Sequence, residues 1–181
     1  MTLLSTRRVY TGRVVSLDVD TVEFPNGTVG DLEMLRHAGA SAVVPFLDDI
    51  ADTDPRIVLL RQFRHATDGF LWEIPAGRRD GTESPERTAT RELQEETGFT
   101  CTRLLKLTSI WTTPGFTDEV IHLYAAEGLT EGVAAREADE VLDLHVLRWS
   151  TVLTMIHSGE IRDAKTLIAI LFLEARRHPP V

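Results

Sequence analysis

Three glutamates offer the clearest chemistry in this sequence: Glu92, Glu95 and Glu96, in the stretch GRRDGTESPERTATRELQEETGF that runs from Gly77 to Phe99. On a helix, Glu92 and Glu96 lie one turn apart with Glu95 beside them, so the carboxylates share a face. Like charges so placed repel by about a few tenths of a kcal/mol per pair on an exposed helix. Arg91 can pair with Glu95 across one turn and relieves part of that. A divalent cation would turn the remaining repulsion into attraction. Carboxylate oxygens on one rigid face are what Mg²⁺ or Mn²⁺ takes, with water and phosphate oxygens completing the shell. The plain alternative is a solvated acidic face, the common fate of glutamate-rich helices.

Context favours the first reading. Gly77, Glu83, Arg91, Glu92, Leu93, Glu95, Glu96, Gly98 and Phe99 fit the pattern glycine, five residues, glutamate, seven residues, REUXEEXGU, with U apolar. That pattern resembles the signature of the Nudix hydrolases, a far more specific match than a lone glycine motif. The resemblance implies that Glu92 and Glu96 are metal ligands. It makes Glu95 a further or water-mediated ligand with a part in catalysis, and the carbonyl of Ala76 a backbone ligand. Glu83 and Arg91 resemble an ion pair that orients the loop, and Gly77 and Gly98 are structural.

Specificity in this family lies outside the box. The stretch Leu71-Trp72-Glu73-Ile74-Pro75-Ala76-Gly77 resembles the approach to the box in ADP-ribose and related nucleotide-sugar pyrophosphatases. Pro114 stands sixteen residues beyond Gly98, inside PGFTDE, which resembles the mark of the ADP-ribose subgroup. Glu119 is expected to accept hydrogen bonds from ribose hydroxyls, with Phe116, Trp72 and Glu73 also facing substrate. Arg64, in RQFRHA, resembles the family arginine that reaches a phosphate, where a fork of donors suits diphosphate oxygens. In EGVAAREADEVLDLHVLRW the resemblance places a loop glutamate that activates water: Glu140, with Glu137 as the alternative.

The elements that must position these residues are marked by local chemistry. Ser84 can cap the glutamate helix, Pro85 fits its first turn and Gly98 supplies a left-handed stop. Ala89 and Leu93, one turn apart, form its packing face. VYTGRVVSLDVDTVEF alternates as strands and turns at Pro25-Asn26-Gly27. SAVVPFLDD, RIVLLRQFR and GFLWEIPAG read as β-rich segments before the helix. LLKLTSIW, EVIHLYAAEGL and LDLHVLRWS follow as strands, with Trp72, Trp111 and Trp149 in strand-like positions that favour the core. STVLTMIHSGE and DAKTLIAILFLEARRH close the chain as helices, the last with Leu167, Ile170, Leu171 and Leu173 on its apolar face. The class is α/β. With the resemblance it is a Nudix-type α/β/α sandwich with a mixed sheet and a small N-terminal β-rich extension, residues 1–38 before a hydrolase domain at 39–181.

Composition narrows the partners. A net charge of −9 without a basic stripe argues against nucleic acid and anionic membranes. No apolar run approaches the roughly 20 residues that span a bilayer, and no signal peptide is expected at the N-terminus. A single cysteine, Cys101, suits a reducing cytosol and reads as a small core residue. An anionic nucleotide then needs bound cations to draw it in. The resemblance implies hydrolysis of ADP-ribose to AMP and ribose 5-phosphate, and a homodimer formed through the N-terminal strands. Rival readings are other nucleoside diphosphate sugars such as GDP-mannose or ADP-glucose, and a sensor that binds ADP-ribose without cleaving it.

Overall fold

A computed structural model describes residues 1–135 and 141–177. The strands are β1 (Thr2–Thr11), β2 (Val15–Glu23), β3 (Val29–His37), β4 (Ala40–Pro45), β5 (Arg56–Arg64), β6 (Gly69–Glu73), β7 (Ala76–Arg78), β8 (Phe99–Trp111), β9 (Val120–Glu131) and β10 (Leu142–Arg148). The helices are α1 (Pro85–Thr97), α2 (Trp149–His157) and α3 (Ala164–Arg177). The chain divides into two compact units: Met1–Gly39 with Ile110–Ile121, and Ala40–Ser109 with His122–Val181. The segment Ile110–Ile121, read from sequence as part of the second domain, thus groups with the N-terminal residues.

The first unit is an antiparallel meander in the order β1-β2-β3. Pro25-Asn26-Gly27 makes the expected turn: Gly27 sits at φ 81° and the Asn26 side chain accepts the Thr28 N–H. Alternation in β2 buries Asp18, Asp20 and Val22. Two acids on a buried face need partners. Arg8 and Arg36 both bond Asp18, and Arg36 and the Thr6 hydroxyl bond Asp20. β1, at the edge, is exposed along its whole length, Leu3, Leu4, Val9 and Tyr10 included.

The second unit holds an antiparallel sheet β10-β5-β6, and contributes to a mixed sheet β7-β4-β9-β8. Every residue of β4 from Ser41 to Pro45 is buried, as are Ile57–Leu60 of β5. A continuous buried run, rather than an alternating one, means cover on both faces. α1 and α3 both pack on β4. Val43, Ala89, Leu93, Tyr124 and Ala126 form a shared core, with Cys101 packed against it. Cys101 is only partly buried there, at the margin of the core and not within it, and that burial pushes its thiol up.

Some sequence expectations change. GFLWEIPAG is two strands in different sheets, because Pro75 has no N–H to continue the ladder and the chain crosses over there. Trp149 starts α2 instead of ending a strand; it is buried and stacks on Phe46 at 5.6 Å. Trp111 is 62% exposed and is no core residue. In α3 the buried positions are Thr166, Ala169, Ile170 and Leu173, whereas Leu171 faces outward.

Candidate active site

α1 forms as its punctuation dictates. The Ser84 hydroxyl accepts the Arg87 N–H at 3.3 Å, Pro85 stands at the start, and Gly98 at φ 79° donates its N–H to Gln94. Ala89 and Leu93 are fully buried on the packing face. The same helix also buries two of its acids: Glu92 is 7% exposed and Glu96 1%. Ionised carboxylates are rarely buried so deeply without a specific hold.

The hold is backbone and arginine. Glu96 Oε2 accepts the Ala76 N–H at 2.9 Å. The Glu92 carboxylate lies so close to Gly77 that a Cβ there would meet Oε1 at 1.9 Å, so any side chain at 77 would displace that carboxylate. Arg91 is the hub. Its Nη1 donates to Glu92 Oε1 and Glu95 Oε2, both at 2.8 Å, and its Nη2 to the Arg78 carbonyl at 3.0 Å and Glu83 Oε2 at 3.1 Å. The Thr88 hydroxyl also donates to Glu83, and Arg79 donates to the Glu83 carbonyl. Hydrogen bonding to Arg91 holds Glu83 below the usual carboxylate range. Burial pulls the Arg91 guanidinium down, but the acids around it outweigh this and hold it above its ordinary value.

Ala76, Gly77, Glu83, Arg91, Glu92, Glu95 and Glu96 are therefore brought together as one assembly. Among the described residues, no three His, Cys, Asp or Glu side chains converge as a ready-made metal cluster. Arg91 stands between Glu92 and Glu95 instead, so an ion bound by both must displace its Nη1 contacts. The donor chemistry fits such an ion. Every candidate ligand is an oxygen, as hard divalent cations require, and two carboxylates are seated against the 76–77 backbone.

A second cluster involves Arg64 and Glu73. Arg64 forks onto Glu73, Nε to Oε1 and Nη2 to Oε2, both at 2.8 Å. Glu73 is 2% exposed, and Lys165 also bonds its Oε2. Glu73 was expected to face substrate; both its oxygens are instead engaged inside the protein. Burial pushes the Glu73 carboxyl up, yet Arg64 and Lys165 outweigh that and hold it below its ordinary value. Arg64 is raised by its hydrogen bonds to Glu73, and it also feels the charge of Glu96. Lys165 escaped the sequence reading. The only local signal was Asp163 followed by Thr166, whose N–H and hydroxyl cap onto the aspartate at 3.0 and 2.7 Å.

Trp72 donates its Nε1–H to Glu160 at 3.0 Å and meets His145 edge-on at 4.7 Å. Phe116 and Glu119 belong to the first unit. There Phe116 is half-exposed, its carbonyl accepting the Leu35 N–H at 2.7 Å, and Glu119 Oε2 accepts from the Thr112 hydroxyl at 2.9 Å. His37 Nδ1 lies 3.3 Å from Glu119 Oε1 and accepts the Gly39 N–H at 3.1 Å. Glu137 and Glu140 lie outside the described residues. The chain before them is tied to the glutamate helix, with the Ala135 N–H donating to the Glu95 carbonyl at 3.0 Å. Gly98 and Gly132 meet back to back at this crossing: a Cβ on Gly132 would lie 2.9 Å from the Gly98 carbonyl, and one on Gly98 3.2 Å from that of Gly132.

Known proteins share these features. The NUDIX domain profile matches residues 36–169. A methanol dehydrogenase activator from Bacillus methanolicus is 42% identical over 97% of this chain and 95% of its own length. An ADP-ribose pyrophosphatase from Bacillus subtilis (strain 168) is 37% identical over 96% of this chain and 92% of its own. A crystal structure of an ADP compounds hydrolase superposes with a TM-score of 0.82 at 21% identity, covering 99% of this chain and 96% of that one, which establishes the likeness of fold.

Proposed function

Because the chain belongs to the Nudix family, we propose that it is a hydrolase that splits the diphosphate of ADP-ribose into AMP and ribose 5-phosphate. The observation that carries this is the complete box folded as a loop and helix, with Glu92 and Glu96 seated on the backbone of Gly77 and Ala76. The full-length likeness to an ADP-ribose pyrophosphatase supports the choice of substrate.

Nudix hydrolases generally use divalent cations, and here Mg²⁺ is the proposed ion, with Glu92, Glu96, Glu95 and the Ala76 carbonyl holding it. When bound, it supplies neutralising charge for the diphosphate and makes coordinated water more acidic. The chain's own groups do the rest. Arg64 donates to a phosphate oxygen through the edge of its fork turned away from Glu73. Glu119 accepts from ribose hydroxyls, and Phe116 and Trp72 offer apolar surface. Glu140, or Glu137 in its place, takes the proton from the attacking water. Glu83 and Arg91 keep the loop and helix in register without touching substrate.

Two further parts of the proposal concern surroundings. Among the described residues the outer edge of β1 pairs with no further strand, and a second copy of the chain would cover it. A monomer in light scattering at micromolar concentration would count against that. No helix among the described residues is long and apolar enough to cross a membrane, and the lone cysteine fits a reducing cytoplasm.

Mass spectrometry of products formed from ADP-ribose in ¹⁸O-labelled water with Mg²⁺ tests the reaction and identifies the phosphorus attacked. Absence of AMP among the products would overturn the reading. The 42% identical relative supports a second one, activation of a methanol dehydrogenase. Adding the protein to such an enzyme and following alcohol oxidation decides it, and an unchanged rate would remove it.

A further inference from the structure

We propose that Lys165, acting through Glu73, is a positioning residue that holds the Arg64 fork at one angle, with its outer edge open to a substrate phosphate. The inference rests on the reading of Arg64 as a phosphate ligand.

Glu73 is the buried centre of this arrangement. A carboxylate with 2% of its surface exposed is strongly disfavoured unless its charge is met. Here two cations meet it: Arg64 grips both oxygens, and Lys165 bonds Oε2 from within the protein. If Arg64 were its only partner, the carboxylate would be placed by that one contact and could shift with the guanidinium. Lys165 holds Oε2 from the other side and so fixes where the carboxylate sits, and with it the angle of the Arg64 fork. Asp163, at 3.1 Å from the lysine, balances the buried end.

Exposure assigns the labour. The Arg64 side chain is 41% exposed and the Lys165 side chain 11%. The lysine is too enclosed to meet a diphosphate, while the arginine is open to one. Lys165 is also held firmly. The buried Ile74 N–H donates to the Thr166 hydroxyl at 2.9 Å, and Thr166 caps onto Asp163, so the start of α3 is fastened to the chain just after Glu73. Such a frame fixes the fork's angle, and a guanidinium held in one orientation loses less freedom on gripping a phosphate.

Steady-state kinetics with ADP-ribose and Mg²⁺ test this in Arg64→Ala, Lys165→Met, Lys165→Arg and the Arg64→Ala/Lys165→Met double variant. Arg64→Ala should raise KM by about 10-fold or more, and Lys165→Met by about 3- to 10-fold with kcat within about twofold. Lys165→Arg should restore most of the loss. The double variant should be no worse than Arg64→Ala alone, since both act through one contact. Should Lys165→Met fail to fold, Glu73→Gln/Lys165→Met removes the buried charges as a pair and should fold with a raised KM. An unchanged KM in Arg64→Ala would overturn both the phosphate role of Arg64 and this inference. A large effect there, with no effect of Lys165→Met or with additive losses in the double variant, would remove Lys165 alone. Calorimetric binding of ADP-ribose gives the same comparison without turnover, so failure of the proposed reaction is read separately.

Discussion

Two parts of this molecule bury acids beside arginines, and they do it to different ends. In the N-terminal sheet, Asp18 and Asp20 lie on the buried face of β2, and Arg8 and Arg36 meet them with matching positive charge. In the glutamate helix, Arg91 is shared by Glu83, Glu92 and Glu95, Arg87 also approaches Glu83 at 3.7 Å, and Glu96 accepts a backbone N–H. The two buried acids of the first are matched by two arginines, one of which also reaches the partly exposed Asp118 at 3.4 Å, whereas the acids of the second outnumber their cations. Balanced buried acids specify a fold. Surplus ones, on an oxygen-only face, suit a cation that comes from outside.

Substitutions can break this contrast. The largest expected effect is Glu96→Gln, which should lower turnover by orders of magnitude while the melting temperature barely moves; normal activity in a well-folded variant would take Glu96 out of the site. Gly77→Ala comes next. Its Cβ would meet Glu92 Oε1 at 1.9 Å, so the carboxylate must move, and turnover with Mg²⁺ should fall by about 10-fold or more.

Arg91→Ala sharpens the comparison. Losing the hub removes the cation that Glu83, Glu92 and Glu95 share and should cost about 1–3 kcal/mol of stability in chelator-treated protein. Added Mg²⁺ should then raise the melting temperature of this variant more than that of the unmodified chain, because an ion replaces the missing charge. Arg36→Ala should also lower the melting temperature, with no added response to Mg²⁺. Equal Mg²⁺ responses in the two variants would erase the distinction between the regions.

The smallest effect is shared. Hydrogen bonding to Arg91 holds Glu83 below its ordinary value of 4.5, and Arg8 does the same for Asp18 from 3.8. A carboxylate lowered on folding stabilises the fold above its unfolded value, and that contribution is lost as pH falls through the folded one. Thermal unfolding should therefore turn down at and below about pH 4.5. Arg91→Ala should flatten the part that belongs to Glu83, and a slope identical to that of the unmodified chain would sever the link.

The glutamate helix was legible in sequence because its determinants are local. A cap, a first-turn proline, a stop glycine and the spacing of Ala89 and Leu93 all act within a few residues of themselves. The break of GFLWEIPAG between two sheets was not legible, since β-like composition does not say which neighbour a strand finds. Trp149 was misplaced for a related reason: the apolar alternation of LDLHVL runs on into the first turn of α2. Glu73 resembled a substrate ligand by its place in a motif, but its burial depends on Lys165, ninety-two residues away in the chain. Charge pairing over such distances leaves no periodic trace.

Gly98 carries one last consequence. It reads as a helix terminator, a task that asparagine can sometimes perform. Its contact with Gly132, however, makes the spot a crossing of two bare main chains. Tolerance at either site is thus set by the other, and the glycine that closes the signature answers to a clearance requirement as well as to a dihedral angle.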